Sequence, residues 1–178
     1  MHPSAREDFQ RFVKKYLQEG PYVVVDIGSY DVNGRLQDDL PPEWAYTGLD
    51  ILSGPNVDLV VPKHTWRAVP EATFTLGVSS QTVEHVEAPW LWIEDIARIV
   101  SPGGLIYIST PNTIAFHEYP VDCWRLWPDG MRALFRWAGI EILDVYASGM
   151  DTTGIGRNTY SGAVRDRVVA RYDAPPYV

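Results

Sequence analysis

Hydrophobic positions along the chain alternate between helical stripes and short runs of strand length. Phe9, Phe12, Val13, Tyr16 and Leu17 repeat at helical spacing behind Ser4-Ala5-Arg6-Glu7, which has the form of a capping box. Gly20-Pro21 ends that helix, and its apolar stripe is expected to cover one edge of a sheet. Val23-Val24-Val25 then runs into Asp26-Ile27-Gly28, the pattern of a buried parallel strand that ends in a glycine turn. A short helix follows and closes before Pro41-Pro42. Tyr46 to Asp50 reads as a second strand, Val57 to Val61 as a third and Phe74 to Ser80 as a fourth.

Leu91, Trp92, Ile96, Ile99 and Val100 form a helical face within Pro89 to Val100, with Glu94 and Asp95 early and Arg98 late, as the helix dipole favours. Pro102-Gly103-Gly104 turns into a fifth strand, Leu105 to Ser109. Met131, Leu134, Phe135 and Trp137-Ala138 predict another helix, stopped by Gly139, and Ile140 to Tyr146 a sixth strand. Asp151 to Asn158, rich in glycine and threonine, is expected to be a flexible loop, and Val164 to Tyr172 a final antiparallel edge strand. The tail from Ala174 is expected to fray.

Two acids stand out against this pattern. Asp26 ends the first strand just before Gly28, a residue that allows close backbone approach or positive φ. Asp50 ends the second strand about 20 residues on, where a ribose-binding carboxylate belongs. In an open α/β sheet, ligands settle at this carboxyl edge. A Gly-x-Gly-x-x-Gly turn is missing, since Gly28 is followed by no glycine until Gly34. That disfavours a pyrophosphate-bearing dinucleotide, although an NAD-dependent oxidoreductase stays among the alternatives.

Asp26-Ile27-Gly28 with Gly34, followed by Gly48-Leu49-Asp50-Ile51, resembles motifs I and II of the class I S-adenosylmethionine-dependent methyltransferases. Gln81-Thr82-Val83-Glu84-His85-Val86 and Pro102-Gly103-Gly104 are similar to that family's Glu-His-Val and Pro-Gly-Gly signatures, so the resemblance covers Tyr22 to Asp144. It implies a three-layer α/β/α Rossmann-like sandwich with a mostly parallel seven-stranded sheet and an antiparallel strand near the C-terminus. It also implies S-adenosylmethionine as cofactor, with Asp26, Gly28 and Ser29 around the methionine portion and Asp50 on both ribose hydroxyls. Ile51 would flank the adenine and Gln81 would lie near the methyl donor. Pro62 stands where family members often carry an acid for the adenine amine, leaving Asp58 or a backbone carbonyl to substitute.

Candidate acceptor chemistry falls in two places. His85 follows Glu84 after the fourth strand, and either lines the site or fixes the loop. His117-Glu118-Tyr119-Pro120-Val121-Asp122-Cys123-Trp124-Arg125 resembles a His-x-Tyr-Pro-x-Asp-x-Trp-Arg segment of a methyltransferase type 11-like subset. It combines a candidate base (His117), an acid to orient it (Asp122), an anion-binding guanidinium and a stacking ring. The alternative is a structural loop in which Asp122 and Arg125 pair. The N-terminal helix, residues 111 to 128 and residues 149 to 160 are expected to build the acceptor site.

Composition narrows the function further. A formal net charge of −8 argues against a nonspecific nucleic-acid binder. Cys123 is alone, which excludes an intrachain disulfide and points to a reducing cytoplasm, and neither a leader nor a membrane span is recognisable. The histidines at 2, 64, 85 and 117 lack ligand spacing, so no metal is expected. The chain reads as one domain: an N-terminal helix over 1–20, a cofactor-binding core over 21–148, and a C-terminal loop and edge strand over 149–178. The expected function is methyl transfer to a small molecule such as a sugar, glycan or secondary metabolite, with a homodimer as the protein partner to consider. The alternative within the same fold is a non-catalytic partner subunit.

Overall fold

The computed structural model describes residues 3–17, 20–63, 66–118 and 120–173. Its elements are α1 (Pro3–Tyr16), β1 (Val23–Ile27), β2 (Ala45–Asp50), β3 (Leu59–Val60), β4 (Phe74–Ser80), α2 (Pro89–Ile99), β5 (Val100–Pro111), α3 (Pro128–Trp137), β6 (Ile140–Ser148), β7 (Asp151–Asn158) and α4 (Gly162–Asp173), with short 3-10 helices at Leu36–Asp39 and Val83–His85. The seven strands form one sheet in the order β3-β2-β1-β4-β5-β7-β6. Its pairings are parallel except those of β7, which runs antiparallel to both β5 and β6. This is the Rossmann-like architecture expected from the sequence.

The side-chain alternation of β1 shows how the layers are held. Val25 and Ile27 point into a core with Ile93 and Ile96 of α2 and Met131 and Phe135 of α3. Val24 points the other way, into a core where Phe9 and Phe12 of α1 meet Leu76, Val78 and Tyr107. The ring of Phe9 meets Tyr107 edge-on with centroids 5.1 Å apart. Thus α1 covers a face of the sheet, where its stripe had suggested an edge.

Other expectations are corrected. Ser4 lies inside α1, and its hydroxyl donates to Asp151 Oδ2 at 2.7 Å instead of closing a capping box with Glu7. Residues 151–158 are the buried strand β7, where a flexible loop was expected. Its glycines are there for space: a Cβ at Gly154 would lie 2.6 Å from Met131 Cγ, and one at Gly156 2.3 Å from Ile140 Cγ2. Gly162–Asp173 is helix α4, where an edge strand was expected. Val164 and Val168 are buried one turn apart, while Arg167 and Arg171 donate to the buried Glu94 carboxylate at 3.0 Å each. Within 149–173 the described residues therefore form a strand between β5 and β6 and a helix, not a loop and an edge strand. The third strand shortens to Leu59–Val60. Tyr119 and the 174–178 tail lie outside the described residues.

Candidate functional site

Strand order reverses beside β1: the chain leaves β1 toward β2, whereas β4, on its other side, leads to β5. The crevice at the carboxyl ends of these strands is where such sheets bind ligands. Gly28 turns the chain there with φ +78°, and its N–H donates to Leu49 O at 2.8 Å. A Cβ at this position would lie 2.2 Å from Thr82 Oγ1, so the loop after β4 is pressed onto the glycine turn.

Asp50 sits at the end of β2. Its Oδ2 accepts from the Tyr30 backbone N–H at 3.2 Å and its Oδ1 from Leu52 at 3.1 Å. Each carboxylate oxygen retains a lone pair beyond these bonds. Asp26 is only 4% exposed and accepts from the Tyr46 hydroxyl. Burial pushes its carboxyl up to about 7, with the Tyr46 hydrogen bond opposing the shift. Asn56 Nδ2 donates to both the Tyr46 hydroxyl and the Ser29 carbonyl at 3.0 Å, and the Ser29 hydroxyl donates to Asn56 O at 2.8 Å. The ends of β1 and β2 are thereby tied together.

The crevice has two lobes. One, of about 240 Å3, is bordered by Asp50, Ile51, Trp66, Thr82 and Trp92. The other, of about 280 Å3, is bordered by Asp26, Ser29, Arg35, Ser80 and His117. Gly28, Gln81 and His85 border both, so the lobes meet there. Gln81 has φ +56°, an uncommon conformation for a residue with a side chain. Its backbone N–H donates to Ser109 O at 2.8 Å and its Nε2 to Asp151 Oδ1 at 3.1 Å.

The connection between β5 and α3 is strapped across the 3-10 turn Val83–His85. The Glu84 carbonyl accepts from Cys123 at 2.7 Å and Trp124 at 3.3 Å, and Trp124 Nε1 donates to Val86 O at 2.8 Å. Within the strap, Arg125 Nη2 donates to Asp122 Oδ2 at 2.6 Å, and the His117 backbone N–H donates to the same oxygen at 2.8 Å. The Arg125 guanidinium holds the Asp122 carboxyl well below the usual carboxylate range. His117 Nδ1 is 3.5 Å from Asp122 Oδ2, and the His117 ring meets that of His85 edge-on at 5.0 Å. His85 Nδ1 is hydrogen-bonded to Val121 O. Glu84 is fully buried, its Oε2 accepts from Thr110 Oγ1 at 3.0 Å, and burial pushes its carboxyl up to about 7. Glu84, His85 and His117 each offer a ligand atom within 4.8 Å of the others, a grouping that linear spacing did not reveal.

The expected cofactor residues Asp26, Gly28, Ser29, Asp50, Ile51 and Gln81 all border the crevice, though the Ser29 hydroxyl is turned toward Asn56. His85 and His117 border the second lobe, and Asp122 stands behind His117. Neither α1 nor residues 149–160 border it, contrary to expectation; the Ser4–Asp151–Gln81 hydrogen bonds connect them to it. Residues 32–36 take their place. Pro62 and Asp58 do not border the first lobe, and Asp58 Oδ2 instead accepts from Gly48 N at 2.8 Å. Trp66 and Trp92, which border the first lobe, and Tyr46 and Asn56, which brace Asp26 and Ser29, were not assigned to the site from the sequence, because each is an ordinary aromatic or turn residue until the fold brings it there.

Residues 39–108 match the family model described as a methyltransferase domain. A comparison with curated proteins finds no significant match. Among solved structures, the chain is similar to the Burkholderia thailandensis 1,6-didemethyltoxoflavin-N1-methyltransferase, solved with 1,6-didemethyltoxoflavin and S-adenosylhomocysteine, at TM-score 0.71 and 18% identity over 88% of this chain and 79% of that one. It resembles a SAM dependent methyltransferase from Aquifex aeolicus at TM-score 0.65 and 14% identity, covering 88% of this chain and 94% of that one. A chain of the complex between the Haloferax volcanii Trm112 methyltransferase activator and a protein assigned as a methyltransferase matches at TM-score 0.69 and 15% identity, with 90% of each chain covered. Among the described residues no helix is long and apolar enough to cross a membrane. The chain thus has the class I methyltransferase fold, and the methyltransferase domain model matches it over residues 39–108.

Proposed function

We propose that this chain is an S-adenosylmethionine-dependent methyltransferase acting on a small polar acceptor such as a sugar, glycan or secondary metabolite. The observation that carries the reading is the pair of strand-end acids, Asp50 on one lobe and Asp26 on the other, with Gly28 between the lobes. The residues present fit the cofactor. Asp50 has lone pairs left for two ribose hydroxyls, and Gly28, which borders both lobes, presents no side chain to the crevice. Ile51, Trp66 and Trp92 offer apolar walls for an adenine, and Asp26 lies where a methionine ammonium would be received.

When bound, S-adenosylmethionine supplies a methyl group already activated on a sulfonium. The chain therefore has to align the acceptor and exclude water rather than form a covalent intermediate. Gln81 and His85, at the meeting of the lobes, orient the reacting groups. The His85–His117 pair receives the acceptor hydroxyl in the second lobe, and Asp122 holds His117 in place through its backbone N–H.

Isothermal titration calorimetry with S-adenosylmethionine and S-adenosylhomocysteine, with NADH as control, tests the reading. Saturable binding of the two adenosyl compounds and none of NADH is expected. Binding of NADH alone, or of none of the three, overturns it.

A further inference from the structure

We propose that Glu84, His85 and His117 form a binding site for a divalent first-row transition ion, Zn2+ by its donor set, at the edge of the second lobe. The ion site rests on geometry alone; only its role toward an acceptor rests on the methyl-transfer reading.

The first argument is a mismatch of donors and acceptors. Val121 O can only accept, so His85 Nδ1 carries the proton, and a neutral ring then presents the Nε2 lone pair. That lone pair faces Glu84 Oε1 at 3.7 Å, beyond hydrogen-bond range. Glu84 Oε1 is buried and has no hydrogen-bond partner, although the residue is fully enclosed. An unpartnered buried carboxylate oxygen aimed at an imidazole lone pair is costly, and a cation between them removes the cost.

The second argument is the support behind each ligand. His117 Nδ1 faces two acceptors, Ala115 O at 3.3 Å and Asp122 Oδ2 at 3.5 Å, which leaves Nε2 as its ligand atom. Glu84 Oε2 is fixed by Thr110, His85 by Val121, and His117 by Ala115 and Asp122. Ligating imidazoles usually donate their second ring N–H to a carbonyl or carboxylate in this manner. Two ligands at about 2.0–2.1 Å from a tetrahedral Zn2+ lie about 3.4 Å apart, close to the Glu84–His85 separation of 3.7 Å. The widest separation in the group, up to 4.8 Å, closes by a small shift of the His117 ring, which is 41% exposed, about its Nδ1 contacts.

An N2O donor set suits Zn2+, Co2+ or Fe2+ and is poor for Mg2+, which prefers oxygen ligands. Three protein ligands leave a position open, and His85 and His117 both border the second lobe. An acceptor hydroxyl or carboxylate oxygen can take that position, so the ion would select oxygen-bearing acceptors and lower the pKa of a bound hydroxyl.

Calorimetric titration of the metal-stripped chain with Zn2+, together with the visible absorption of its Co2+ form, tests the site. Expected results are one ion per chain, a Co2+ spectrum of low coordination number, no saturable Mg2+ binding, and a rise in melting temperature with Zn2+. His117→Ala and His85→Ala should each weaken Zn2+ binding by about 100-fold and remove the rise, while the His2→Ala/His64→Ala double variant retains both. His117 sits on a half-exposed strap, so its variant remains folded and informative even if Glu84→Gln does not fold. Absence of saturable Zn2+ binding, or binding undiminished in His117→Ala and His85→Ala, overturns the proposal. Neither result depends on whether S-adenosylmethionine binds.

Discussion

Gly28 and Thr82 occupy a space that admits only one side chain. A Cβ on Gly28 would lie 2.2 Å from Thr82 Oγ1 and 2.4 Å from its Cγ2, and φ at Gly28 is +78°. Thr82 in turn donates to Ile27 O at 3.3 Å, so the loops after β1 and β4 are locked edge to edge at the centre of the crevice. Gly28→Ala should cost about 1–3 kcal/mol from the backbone conformation alone. It should also push the Thr82 loop outward and abolish adenosyl-ligand binding. Urea denaturation and calorimetry measure the two effects. Thr82→Ala in the same chain should recover part of the stability but not the backbone cost, and full recovery would show that φ is not the constraint.

Asp26 makes the stability of the fold depend on pH in a direction opposite to that of most carboxylates. Its carboxyl is raised from 3.8 to about 7 by burial, so the folded chain holds a proton that the unfolded chain has released between these values. The stability contributed by this residue is therefore present below pH 4 and lost as pH rises toward 7. Asp26→Asn should flatten that decline, read from denaturation midpoints measured across the window. An equal slope in both proteins would remove Asp26 as its source.

Asp50→Ala tests the ribose assignment. A hydrogen bond to a charged group contributes about 1.5–3 kcal/mol, so losing this carboxylate should weaken S-adenosylhomocysteine binding at least tenfold. The fold should persist, because the Tyr30 and Leu52 amides are near the crevice surface and water can replace the carboxylate. Calorimetry together with a thermal melt separates these outcomes, and unchanged affinity would sink the assignment.

Asp122 is the post to which the long connection is tied. Its side chain is 1% exposed and accepts from Arg125 and from the His117 backbone. Asp122→Asn should release the strap, which is visible as faster amide hydrogen exchange at Cys123 and Trp124, the two donors to Glu84 O. Exchange at β4 and β5 should not change.

In β7, the helix α3 packs directly on the backbone. Gly156→Ala would place a methyl 2.3 Å from Ile140 Cγ2 and 3.0 Å from Phe135 Cε2. The resulting overpacking should cost about 1–3 kcal/mol by urea denaturation, with adenosyl-ligand affinity retained because β7 lies away from the Gly28 turn. A neutral substitution would mean that α3 can shift without penalty.

The sequence by itself determined the elements whose signals are local. Val23 to Asp26 declared itself as a strand because a buried parallel strand is a continuous apolar run, Tyr46 to Asp50 was legible from Tyr46 and Leu49 between turn signals, and each ended in an acid at the edge where ligands bind. The helical stripes of α1, α2 and α3 were legible for the same reason. What the tertiary structure decided depended on neighbours. The glycines of 151–158 look like a flexible loop until Met131 and Phe135 fill the space above them. Arg165, Asp166 and Arg167 look like the edge of a sheet until Arg167 and Arg171 find Glu94 on α2. Glu84, His85 and His117 have no meaningful linear spacing, and they converge only because the strap from β5 to α3 folds back over Val83–His85. Hydrophobic period is a property of adjacent residues, so a chain can display it. Which backbone a helix rests on, and which side chains meet across a loop, is fixed only when distant segments compete for the same space.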